Sequence, residues 1–175
     1  VVEVILLLNL KCGVLTELAW IKNGTPSTLT SENDTIEITD LTSKTFNQFL
    51  VHIFKTGSVN YPLTFNADTG TNYAWRNSNN GATDATTVSA VKIDISPASD
   101  DSFNVIYAIG ISTEEKLLID FQARPVATGS ATAPAREEVA GKWANTVNAI
   151  TEIDVTNGGA GGFTTDSNLS ALGTD

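Results

Sequence analysis

Apolar residues recur at every second position along much of this chain, and that period constrains its fold class more than anything else. In Thr35-Ile36-Glu37-Ile38-Thr39 the isoleucines point one way and the polar residues the other. Ser89, Val91, Ile93 and Ile95 alternate with Ala90, Lys92 and Asp94. Leu117, Ile119 and Phe121 alternate with Lys116, Leu118, Asp120 and Gln122. Side chains of an extended strand point to opposite faces in turn, so the pattern predicts half-buried antiparallel strands. Two stretches, 46–54 and 103–111, are apolar on both faces and are expected mid-sheet, with something packed on each side. Loops rich in Gly, Asn, Asp, Ser and Pro punctuate about ten strands: Asn23-Gly24-Thr25-Pro26 and the stretches 77–83, 97–101, 127–134 and 157–162.

No helical period of useful length and no internal repeat competes with this reading. The expected fold is all-β, an antiparallel β-sandwich of jelly-roll type. A chain of 175 residues fits one such domain. The boundaries are residues 1–13 as an apolar amino-terminal arm or first strand, and 14–175 as a single β-sandwich domain. The small, flexible loop 127–134 stays inside that domain, because strand-like sequence continues at 136–145 and 149–156.

Val1-Val2-Glu3-Val4-Ile5-Leu6-Leu7-Leu8-Asn9-Leu10 is the most apolar run. It is shorter than the roughly 20 residues a bilayer span needs, and Glu3, Asn9 and Lys11 interrupt or end it. It has neither the cationic start nor the small-residue cleavage site of a signal peptide. It reads as a core strand, or as an arm that docks on a neighbouring subunit. A strand this apolar is an aggregation hazard unless something covers it.

Ten Lys and Arg against twenty Asp and Glu give a formal charge of −10. That balance argues against nucleic acid as a partner, since binding phosphates relies on cationic side chains. It equally argues against an anionic membrane surface. Cys12 is the only cysteine, so no intrachain disulfide can form, and it reads as buried or incidental.

Catalysis finds little support, and no enzyme activity is expected. His52 is the only histidine and sits in a doubly apolar stretch, where a structural role is the better reading. Glu114-Glu115 and Glu137-Glu138 are adjacent pairs, and neighbours in a strand face opposite ways, so neither is a ready acid and base. Asn66-x-Asp68-x-Gly70-x-Asn72 places oxygen donors at alternate positions around a Gly turn, a spacing calcium accepts. It lacks a bidentate acidic residue, and the competing reading is a hairpin loop whose Asn and Asp bond to nearby backbone. No catalytic residue, cofactor or metal ligand is therefore assigned. Asn23, Asn33 and Asn168 each open an N-glycosylation acceptor pattern, of the kind expected by chance in a chain so rich in Asn, Ser and Thr. Trp20, Trp75 and Trp143 with Tyr61, Tyr73 and Tyr107 could stack on sugars, although core packing is the commoner use of strand aromatics.

Three segments, in order, resemble a family of jelly-roll-type structural proteins from tailed phages and related viruses. The first is Thr35-Ile36-Glu37-Ile38-Thr39-Asp40-Leu41 with the apolar stretch 49–54. The second is Phe65-Asn66-Ala67-Asp68-Thr69-Gly70-Thr71-Asn72-Tyr73, read as a hairpin loop between two strands. The third is Ile150-Thr151-Glu152-Ile153-Asp154-Val155, a Gly-rich loop, then Phe163, Ser167-Asn168-Leu169 and Leu172-Gly173. The resemblance implies a virion structural protein without catalytic residues. It would be a capsid decoration or minor capsid protein or another outer-surface component, with tail and fibre positions left open. Its partners would be copies of itself and other virion proteins, in a homo-oligomer with a trimer among the expected states. The alternative is a carbohydrate-binding β-sandwich module of tail-fibre or receptor-binding type.

Overall fold

A computed structural model describes residues 19–57, 61–95 and 101–175. The expected arm at 1–13 and Cys12 lie outside the described residues. The described residues form twelve strands and no helix: β1 (Ile21–Lys22), β2 (Ser27–Thr28), β3 (Thr35–Ile38), β4 (Phe46–Ile53), β5 (Leu63–Phe65), β6 (Tyr73–Asn79), β7 (Ala85–Ala90), β8 (Ser102–Ile109), β9 (Lys116–Arg124), β10 (Ala135–Trp143), β11 (Ile153–Thr156) and β12 (Asn168–Thr174). They build two antiparallel sheets. The larger, of nine strands, runs β1-β12-β4-β8-β9-β10-β6-β7 with β2 also on β12; the smaller runs β3-β11-β5. The chain is all-β.

The small sheet covers one face of the large one. Ile36 and Ile38 of β3, Leu63 and Phe65 of β5, and Ile153 and Val155 of β11 share one core with Phe49, Val51 and Ile53 of β4, Ile106 of β8 and Trp143 of β10. The ring of Phe65 lies 6.1 Å from Phe49 and 5.9 Å from Trp143, so β5 spans the inner surface from β4 to β10. Each fully buried side chain of this kind stabilises by about 1.5–3 kcal/mol. The alternation of Thr35–Ile38 is met as expected, with both isoleucines buried and Glu37 exposed.

The chain passes through the small sheet three times: as β3 between β2 and β4, as β5 between β4 and β6, and as β11 between β10 and β12. The segment 65–76 is therefore not a hairpin. Phe65 ends a strand bonded to β11, whereas Tyr73 begins one bonded to β10 and β7. Turn residues are the same whether the flanking strands pair with each other or with different partners.

The alternation at 89–95 also divides. β7 ends at Ala90 on the edge of the large sheet, and Ser89 has a φ of +55° beside a register shift between Tyr73 and Trp75. Ile93 then pairs with Leu63, the two exchanging main-chain hydrogen bonds of 2.8 and 3.0 Å. One period-two run thus serves two sheets in turn, burying Ile93 and Ile95 and leaving Val91 exposed.

Candidate functional site

Strand β9 has the expected period and the opposite sidedness. Leu117, Ile119 and Phe121 are 53, 46 and 50% exposed, while Lys116, Leu118, Asp120, Gln122 and Arg124 are buried against the inner side. The inward polar groups are held by specific partners. Lys116 Nζ donates to the carbonyls of Ser112 (3.1 Å), Glu114 (2.8 Å) and Asn145 (2.6 Å), and stands 5.6 Å from the Trp143 ring centre. Burial lowers its pKa. Asp120 accepts from Asn104 Nδ2 at 2.8 Å, and Asn104 and Gln122 both donate to the carbonyl of Ile95. Burial holds the Asp120 carboxyl well above its ordinary range, against the Asn104 hydrogen bond and with help from Glu137. Glu137 is likewise raised, by burial first, while its hydrogen bond from Asn77 and the Arg124 charge pull the other way. The polar half of the inner surface thus anchors residues 91–95 over it.

That arrangement leaves the apolar side of β9 outward, where it lines up with its neighbours. Across β8 and β9, Phe103 pairs with Ala123, Val105 with Phe121 and Tyr107 with Ile119. On β4, Phe46 stands opposite Ile109, Gln48 opposite Tyr107, Leu50 opposite Val105, and His52 opposite Phe103. Adjacent strands lie about 4.8 Å apart, so these residues form one continuous surface. At its end Trp20 meets Tyr107 edge-on, ring centres 6.3 Å apart, beside Phe46, Ile109, Leu117 and Ile119 around a hollow of about 280 Å³. The rim is charged and paired: Lys142 with Glu115 (2.8 Å), Arg136 with Glu138 (2.9 Å) and Arg76 with Asp84 (3.1 Å). A contiguous apolar patch rimmed by polar groups is the usual mark of an interaction surface. The two doubly apolar stretches do occupy mid-sheet positions as β4 and β8, but among the described residues only their inner face is covered by a second sheet.

The Asn66–Tyr73 segment is a brace. Asn66 Oδ1 accepts from the N–H groups of Thr151 (2.9 Å) and Glu152 (3.1 Å), and its Nδ2 donates to the carbonyl of Ala149 (2.8 Å). The Asp68 carboxylate accepts from Gly70 N, Asn72 Nδ2 and Trp143 Nε1. The Tyr73 hydroxyl accepts from Phe65 N at 3.0 Å. The Asn66 and Asp68 oxygens that the calcium reading would recruit are thus already engaged by N–H donors. Elsewhere, carboxylate oxygens of Glu37, Glu152 and Asp154 lie within 4.8 Å of one another on the outer side of the small sheet. Burial, then the neighbouring Glu152, raises the Asp154 pKa.

The remaining sequence candidates scatter. The His52 ring lies 4.2 Å from that of Phe54, tilted by 51°, and faces Phe103 edge-on at 6.4 Å, on the outer surface. Glu137 points inward and Glu138 outward, as strand neighbours do. Tyr61, Tyr73 and Trp143 belong to the core, Trp75 is half-buried, and only Trp20 and Tyr107 come together at the surface. Asn23 is buried, its amide bonded to the main chain and hydroxyl of Thr42.

No protein-family model, no curated protein and no solved structure matches this chain.

Proposed function

We propose that this protein is a virion structural protein, a capsid decoration, minor capsid or other outer-surface component that works through assembly contacts and not through catalysis. The fold we infer is a β-sandwich wound in jelly-roll fashion; two sheets sharing one core, with three excursions of the chain from the larger into the smaller, support that reading. The observation that carries the function is the outward apolar side of β9, continuous with β8 and β4. A lone monomer gains nothing from half-exposing Leu117, Ile119 and Phe121, whereas a subunit that buries them against a neighbour gains about 25 cal/mol for each Å² covered. The ordered resemblance at 35–54, 65–73 and 150–173 adds the virion setting.

The carbohydrate reading draws on Trp20 and Tyr107 alone. Their hollow is lined almost wholly by carbon, and Asn47 is the single amide side chain among its lining residues. Sugars need several polar partners around a stacking ring, so assembly is favoured.

Size-exclusion chromatography with light scattering tests the reading. The expected result is a closed homo-oligomer that dissociates to monomers in the Ile119→Asp/Phe121→Asp variant. A wild-type protein that stays monomeric at every concentration would overturn it.

A further inference from the structure

We infer that the inner face of β6, β9 and β10 holds a divalent cation, calcium by preference, on side-chain oxygens of Asn77, Asp120, Gln122 and Glu137. The site does not rest on the assembly reading and lies on the other side of the large sheet from the apolar face.

Four buried oxygens carry the inference. Among the described residues, Asn77 Oδ1, Asp120 Oδ1, Gln122 Oε1 and Glu137 Oε2 are shut away from solvent and meet no hydrogen-bond donor. Asp120 and Glu137 are wholly buried, and Gln122 is 3% exposed. Turning the amides round does not cure this. Gln122 Nε2 donates to the carbonyl of Ile95 at 2.9 Å, and Asn77 Nδ2 donates to Glu137 Oε1. A flipped amide would set oxygen against oxygen at both places. Buried polar atoms are nearly always paired, so four orphans on one face call for a partner, and because all are acceptors that partner is positive.

Strand register gathers the four. Gln122 stands directly opposite Glu137 across β9 and β10. Two residues along β10, Val139 is flanked by Asp120 on β9 and Asn77 on β6. Neighbours on one face of a sheet lie about 5 Å apart across strands and about 7–8 Å on the diagonal, within reach of side chains this long. The charges agree with that placement. Asp120 and Glu137 feel one another, and Glu137 also feels Asp94 and, with opposite sign, Arg124. Three carboxylates against one guanidinium leave two negative charges, the countercharge of one divalent ion.

The donor set selects the ion. Carboxylate and amide oxygens without nitrogen or sulfur suit a hard cation, and their irregular spacing suits calcium better than magnesium, which demands a near-ideal octahedron. An ion also has a way in. Asp94 and Trp75 line a hollow of about 390 Å³ beside the β7 edge, and Trp75 is the next residue on the Asn77 side of β6. Without the ion, protons neutralise the same buried carboxyls.

Calcium titration of the chelator-stripped full chain tests this, by calorimetry and by thermal melts. The expected result is one ion per chain and a melting temperature raised by about 5–10 °C at a hundredfold excess over the dissociation constant. Both effects disappear in Asp120→Asn/Glu137→Gln, whose neutral groups keep the shape of the originals. Should that double variant fail to fold, Glu137→Gln alone carries the comparison, with binding weakened about tenfold or more. Glu37→Gln/Glu152→Gln, in the carboxylate cluster on the small sheet, should bind as the wild type does. Absence of binding overturns the inference, as does a rise that sodium chloride of equal ionic strength reproduces. Binding that survives in Asp120→Asn/Glu137→Gln, or that is lost with Glu37 and Glu152 instead, overturns it equally.

Discussion

The indole N–H of Trp143 donates to Asp68 Oδ2 at 2.6 Å, tying the corner between the two sheets to the last residue of β10. The same carboxylate accepts from Asn72 Nδ2 at 2.9 Å and, through its other oxygen, from Gly70 N at 2.8 Å. Removing it orphans three donors, one of them on a buried tryptophan. Asp68→Ala is expected to lower unfolding stability by about 1.5–3 kcal/mol, the range for hydrogen bonds to a charged group. Asp68→Asn keeps one acceptor and should recover part of the loss. Urea unfolding curves of the three proteins check this; an Asp68→Ala midpoint equal to wild type would remove the brace.

Asp120 and Glu137, both fully buried, help set the acid side of the stability profile. Burial raises Asp120 and Glu137 above their ordinary values, so the folded state holds protons that the unfolded state has released. Stability from these groups is complete below the unfolded carboxylate range near 4 and is lost as pH rises through their folded values. The protein should therefore grow more stable as pH falls from 7 toward about 5. Further down, donors outweigh burial and hold Asp68 below its usual range, so its contribution disappears as pH falls through that lowered value. Asp120→Asn removes one buried charge and should flatten the slope above pH 5. Thermal melts across pH decide it, and an unchanged slope in the variant would count against the assignment.

Tyr73 sits at the other end of the same brace. Its hydroxyl accepts from Phe65 N at 3.0 Å and reaches the carbonyl of Asp68 at 3.2 Å. Tyr73→Phe leaves a buried main-chain N–H without its acceptor, at an expected cost of about 1–3 kcal/mol. Burial drives the phenol pKa far up, with the charges of Asp68 and Asp154 adding to it. The neutral phenol belongs to the folded state, so this contribution is lost as pH climbs past the ordinary phenol value. Spectrophotometric titration should show Tyr73 ionising only as circular dichroism signals unfolding, so the amplitude of that late step should shrink in Tyr73→Phe.

Neighbouring residues on β9 should respond in opposite senses. Leu118 is 3% exposed and packs in the core, so Leu118→Ala should cost about 2–5 kcal/mol. Ile119→Asp changes an outward residue and should cost the fold about 1 kcal/mol or less, chiefly through strand preference. Equal losses at the two positions, measured by denaturant unfolding, would overturn the sidedness of the strand.

Much of this was legible from residue order alone, and the unreadable parts share one cause. Ile36 and Ile38 were readable because their polar neighbours have no buried partner to seek. In β9 the alternation itself was legible, but the buried side was not. Lys116 finds the nearest of its three carbonyl acceptors on Asn145, 29 residues away, and Asp120 its donor on Asn104, 16 residues away. A charge with a distant partner looks, in sequence, like a charge in water. The Asn66 brace was hidden the same way, its partners lying 83–86 residues on at Ala149–Glu152. Local turn grammar predicted bonds to nearby backbone, and Asp68 to Gly70 is one, but the long-range bonds decide the corner's geometry.

The order in which strands enter the sheets has a consequence for synthesis. β11 lies between β3 and β5, and β12 lies between β4 and the short strands β1 and β2. Interior positions of both sheets are thus filled by strands translated after every other described one. Until residue 156 has left the ribosome, β3 and β5 have no common neighbour to bond. Until residue 174 follows, β4 keeps one edge open, and open edges invite pairing with other chains. Closure of the two sheets therefore waits on β11 and β12: a chain that stops before residue 153 leaves β3 and β5 without their shared neighbour and β4 with an open edge.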